Sequence, residues 1–180
     1  MEVKHNTWMA LGMCASLLGA CSDDDAVDVS TAQAAMRALV SSVDTSMSGY
    51  QGGGDSGGTL KLECASGGAA DVQGHVHVMI DPVTVDVDLA IEYDACKTRD
   101  GAVLSGNIDF SQSVVAGQVP TRVETVYKGN VVFTGSVQAD CAVDVSVLVD
   151  AAGKTVRVTG TFCGNDAADL NVEVMPHWVD

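Results

Sequence analysis

The chain has 180 residues, 47% of them apolar and only 4% aromatic, with 9 Lys+Arg against 24 Asp+Glu for a net charge of −15. That is one domain with a real core, not a disordered chain, and the acidic balance excludes nucleic acid and anionic lipid surfaces as electrostatic partners, since phosphate contacts need clustered Lys and Arg. With 29 Val against 10 Leu, the core is β-branched and favours strands over helices.

Residues 1–20 open with a single lysine, Lys4, continue in an apolar run from Trp8 to Leu18, and close on Gly19-Ala20 ahead of Cys21. A short charged start, about ten apolar residues and small residues before a cut describe an export signal. The run is too short to span a bilayer, which takes roughly 20 apolar residues. Leu17-Leu18-Gly19-Ala20-Cys21 resembles the lipobox of bacterial lipoproteins. The resemblance implies cleavage before Cys21, diacylglycerol on its sulfur and an acyl chain on its new amine. Several acyl chains anchor stably where one is marginal. Ser22 in the next position implies sorting to the outer membrane, an inference that Asp23, Asp24 and Asp25 blur.

Residues 21–29 read as an acidic tether and 30–48 as the one helix. Ser30 with Gln33 fits a capping box, and Ala32, Ala35, Met36, Leu39, Val40, Val43 and Met47 recur at helical spacing. Residues 49–58 form a Gly-rich loop without periodicity. From 59 to 180 the period is two. Apolar residues alternate through 60–64, 72–80, 83–93, 104–110, 123–127, 131–137, 143–149, 156–162 and 170–174, about nine short strands. Turn signals at Asp81-Pro82, Asp100-Gly101, Gly129-Asn130 and Ala151-Ala152-Gly153 separate several of them. The fold class is therefore mainly β: an antiparallel, strongly curved sheet, as a sandwich or a (half-)barrel, with one N-terminal α-helix. Gly74, Gly106, Gly129 and Gly160 each fall on the apolar face of a strand pattern. Glycine there weakens a strand unless it permits a bend or a close approach, so these four mark a coiled sheet.

With Cys14 in the signal and Cys21 lipidated, Cys64, Cys96, Cys141 and Cys163 remain, an even number in an exported chain and hence two disulfides. A hairpin turning at 151–154 brings Cys141 and Cys163 to the same end of neighbouring strands, which leaves Cys64 with Cys96. Strict alternation turns Cys163 outward and Cys141 inward, so Cys141 is expected in the preceding turn.

Gly54-Asp55-Ser56-Gly57-Gly58 resembles the nucleophile motif of chymotrypsin-like serine proteases. That family places its His and Asp earlier in the chain, and here the only earlier histidine is His5, inside the signal. No catalysis by Ser56 is expected. The acidic residues show no calcium-loop spacing.

His75 and His77 with Asp86 and Asp88 are the constellation with most chemistry. Matching the apolar faces of the two strands across the Asp81-Pro82 turn demands an odd pairing sum. One such register sets His75 against Asp88 and His77 against Asp86. The other sets His77 against Asp88. Either puts two imidazoles and two carboxylates on the outer face, a donor set for Zn²⁺ or a similar ion. The plainer reading is a solvated face.

These features together predict an exported, membrane-anchored envelope lipoprotein, not an enzyme, with a binding or structural role. Its partners would be the membrane, through the lipid, and an envelope protein. The alternatives are a carrier of an apolar ligand held between sheet and helix, a metal-binding protein, and a metal-dependent hydrolase. No cofactor is expected beyond the Zn²⁺ the His/Asp cluster would take.

Overall fold

The computed structural model describes residues 26–50, 58–80, 83–116 and 120–170. The signal with Cys14 and Cys21, the motif around Ser56, the Asp81-Pro82 turn and the end with His177 lie outside them. The described residues build one helix, α1 (Val29–Gly49), and eight strands. These are β1 (Gly58–Glu63), β2 (Ala69–Ile80), β3 (Val83–Lys97), β4 (Ala102–Ala116), β5 (Pro120–Gly135), β6 (Ala139–Asp150), β7 (Thr155–Phe162) and β8 (Asn165–Asp166), followed by a 3-10 turn over Ala167–Leu170. Every strand pairs antiparallel with the next in sequence, giving a single curved sheet that does not close among the described residues, with the helix on its inner face. The mainly β expectation holds, as an open meander rather than a sandwich.

Two expected strands are one. Residues 123–127 and 131–137 join in β5, and Gly129-Asn130 is a point inside it and not a turn. The alternation on either side is in phase, with Val123, Tyr127, Val131 and Phe133 all buried, so the ladder continues through the glycine. The expected strand at 170–174 begins at Leu170, which ends the 3-10 turn, and the rest of it lies outside the described residues.

The helix starts earlier than a Ser30 cap would place it. Asp28 is the N-cap, its Oδ1 accepting from the Thr31 amide at 3.0 Å and from the Ser30 hydroxyl at 2.6 Å. Those donors hold the Asp28 carboxyl down to about 2. Aspartate there satisfies an orphan amide and sits favourably at the positive end of the helix dipole. The segment before the helix is docked. Val27 N donates to Cys163 O at 3.2 Å, and Asn165 Nδ2 donates to Val27 O at 2.8 Å. The tether's last residues thus belong to the folded domain.

Ala32, Ala35, Met36, Leu39 and Val43 are buried against the inner face, while Val40 and Met47 are only half-buried. Two serines complete the stripe. Ser42 and Ser46 are buried, and Ser46 returns its hydroxyl to Ser42 O at 3.0 Å, the local bond that lets serine sit inside a helix. Past Gly74, whose carbonyl accepts from Tyr50 at the helix C-cap, Val78, Ile80 and Val83 lie uncovered, Ile80 at 85% exposure.

Beneath the helix lie Tyr93 and Tyr127, the latter edge-on to Phe110 with centroids 5.4 Å apart. The Tyr93 hydroxyl is buried with no hydrogen-bond partner. Ser42 and Ser46 are its polar neighbours and temper the effect of burial, yet neither is placed to bond it. Desolvation pushes Tyr93 up to about 12, and desolvation with the Asp44 charge and Tyr93 does the same to Tyr127. A folded pKa above the unfolded value of about 10 means full stability below pH 10, lost as pH rises toward 12. Alkaline unfolding over that window is therefore expected, costing about 2 kcal/mol per tyrosine. Tyr93→Phe should remove its share while costing nothing at neutral pH, because no hydrogen bond is lost. Phenolate absorbance and denaturant midpoints against pH check both, and a stability flat from pH 9 to 12 would contradict the assignment.

Candidate functional site

The outer face of the sheet is polar because alternation sends every second residue there. The β2–β3 register settles the choice left open by the sequence: His75 pairs with Asp88 and His77 with Asp86. β4 and β5 extend these pairs into rows. One runs His75, Asp88, Ser111, Val126, and the next His77, Asp86, Ser113, Glu124. A third carries Gln73, Ala90, Asp109 and Lys128.

Two adjoining hollows lie along these rows. One, of about 660 Å³, is lined by Thr59, Gln73, His75, Asp88, Asp109 and Lys128 among others. The second, of about 560 Å³, is lined by His75, His77, Asp86, Asp88, Ser113 and Glu124 with their neighbours. His75, Asp88, Ser111 and Val126 belong to both, so they form one trough across β2 to β5. Neither hollow lies between helix and sheet.

His75 Nε2 stands 3.4 Å from Asp88 Oδ2, with both side chains more than half exposed. Lys128 reaches Asp144 at 3.7 Å and Arg122 reaches Glu124 at 3.4 Å. The flanking cations are thus engaged by other carboxylates, and Asp86 and Asp88 have the imidazoles opposite them. As the side chains stand, no group of three His, Cys, Asp or Glu among the described residues is close enough to hold a metal ion. The arrangement can bind cations or hydroxyl-rich ligands through exposed carboxylates and imidazoles.

Sequence reasoning placed all four His/Asp residues on this face and missed the floor of the trough. Ser111, Ser113, Asp109, Glu124 and Lys128 were legible only by carrying face-matching across two more strands. The expected cysteine pairs both form, Cys64 with Cys96 and Cys141 with Cys163. Cys141 is not in a turn. It lies inside β6, fully buried and inward as alternation demands. Cys163 makes the adjustment instead, leaving β7 with a φ of +50° that turns it into the core. Comparison with protein-family models, curated proteins and solved structures gave no match.

Proposed function

We propose that this chain is an exported, lipid-anchored envelope protein that works by binding and not by catalysis, with the outer trough as its binding face. The observation that carries the reading is the pair of disulfides in a chain whose residues 17–21 resemble a lipobox. Such bonds fit an oxidising, exported compartment. No helix among the described residues is long and apolar enough to cross a membrane, and in this reading acyl chains on Cys21 supply the attachment. Ser22 favours the outer membrane. Binding by the solvated face is preferred to an apolar ligand under the helix, because Met36, Leu39 and Val43 pack there with Val72 and Ile91 in one buried core, and both hollows open on the other side.

Intact-mass measurement of the protein extracted from membranes should show a chain beginning at an acylated Cys21. Cys21→Ser should abolish processing or release the protein from the membrane fraction. An unmodified Cys21 thiol in the native protein would overturn the anchor.

A further inference from the structure

We propose that His75, His77, Asp86 and Asp88 form a site for one divalent transition ion of the zinc type, closed by rotation of exposed side chains. The strands do the positioning. A His-x-His on one strand puts both imidazoles on one face, and the antiparallel ladder lays an Asp-x-Asp opposite in matching phase. The result is two adjacent His–Asp pairs in neighbouring rows, all four lining the same hollow of about 560 Å³. Imidazole with carboxylate is the donor chemistry that zinc accepts, whereas magnesium demands oxygen ligands and keeps its waters.

Two of the four side chains already lie together. His75 and Asp88 are already 3.4 Å apart, and their side chains are 57% and 53% exposed, so nothing packed holds their rotamers. Neither flanking cation competes for the carboxylates, since Lys128 and Arg122 are paired with Asp144 and Glu124. The backbone ladder on both sides of β3 holds the strands in register without an ion, so metal is not needed for folding. The site is independent of whether the chain carries lipid.

The test is calorimetric titration of Zn²⁺ into the full processed protein in detergent, disulfides intact and without a polyhistidine tag. One ion per chain should bind, saturating at low-micromolar zinc. His75→Ala and His77→Ala should each weaken it at least tenfold. His177→Ala should leave it unchanged, which separates the trough from the C-terminal end. Mg²⁺ should bind at least a hundredfold more weakly. Cu²⁺ paramagnetic resonance gives a second readout, with nitrogen splitting from two imidazoles in the wild type and from one in His77→Ala. Far-UV circular dichroism confirms that each variant is folded. Absence of saturable zinc binding, equal binding of Mg²⁺, or zinc affinity unmoved in both histidine variants would overturn the site.

Discussion

Gly129→Ala is expected to cost about 3 kcal/mol or more. Gly129 has a φ of +146° and Gly106 a φ of +124°, values that L side chains rarely adopt. The two lie side by side on β4 and β5. Gly106 pairs with Val131, and Gly129 with Ile108. A Cβ on Gly129 would run into the Asn107 carbonyl and come within 3.1 Å of the Ile108 Cα. A Cβ on Gly106 would run into the Asn130 carbonyl and come within 3.3 Å of the Val131 Cα. Each glycine therefore makes room for the other strand, and together they let the central strands approach and bend around the helix. The obstacle is backbone on both sides, so no rotamer change relieves it. Gly106→Ala should be comparably destabilising. The double variant should cost less than the two combined, because the first clash already opens the step that the second would clash with. Guanidinium denaturation of the three variants measures this. A Gly129→Ala loss below about 0.5 kcal/mol would mean that the strands can flatten there freely.

The same glycines show how far the sequence could be read. The motif apolar-x-Gly-x-apolar placed all four on the inner face, and the coiled sheet followed. Yet Gly129-Asn130 also carries the composition of a turn, and composition cannot decide between a turn and a bend within a strand. Phase decides it: Tyr127 and Val131 keep the same parity through the glycine, as a bend requires and a reversal does not. The His75–Asp88 and His77–Asp86 register was legible because two apolar faces on adjacent strands can match in few ways. The floor of the trough was not, because each further strand adds a register that must be fixed independently. Ser42 and Ser46 escaped for another reason. A helix pattern counts apolar residues, and serine is admitted to the buried stripe by bonding its own helix or by meeting polar groups on the sheet. Ser42 Oγ lies 3.8 Å from Cys96 Sγ, and Tyr93 is the other polar group nearby.

Parity also governs the disulfides, and at both of them a non-glycine residue in the left-handed region breaks it. On β3, Leu89, Ile91 and Tyr93 point inward, and strict alternation would send Cys96 out. A bulge between Tyr93 and Cys96, with Ala95 at a φ of +47°, restores Cys96 to the core beside Cys64. On β7, Phe162 points inward, and the φ of +50° at Cys163 itself brings that sulfur in to Cys141. Such backbone costs of order 1 kcal/mol or more per residue and persists where surrounding structure enforces it. The hairpin at 151–154 could therefore pair the cysteines correctly, while strict alternation, right for Cys141, sent Cys163 to the wrong face.

Removing Cys141–Cys163, as Cys141→Ala with Cys163→Ala, is expected to lower stability by about 3–4 kcal/mol and to cost more than removing Cys64–Cys96. Loop entropy alone predicts the reverse order. The two bridges span 22 and 32 residues, a difference worth about 0.3 kcal/mol in favour of the longer one. Packing outweighs that. Cys141 and Cys163 are both buried, whereas Cys64 is only partly so. Cys163 is also a junction: its amide donates to Ala142 O at 3.1 Å, and its carbonyl accepts from Val27 N at 3.2 Å and Asn165 Nδ2 at 3.1 Å. Those bonds dock the segment that leads into the helix. Without the bridge, the left-handed turn at Cys163 loses the constraint that holds it, and the entry to α1 should loosen with it. Cys64–Cys96 joins the turn after the short edge strand β1 to the far end of β3, and its loss should fray only that corner. Denaturant midpoints of the two alanine pairs rank them, and hydrogen exchange at Val27 locates the effect. If the Cys64–Cys96 pair costs as much or more, or if the Val27 amide stays as protected without Cys141–Cys163 as with it, loop entropy and not the docked turn determines what these bridges contribute.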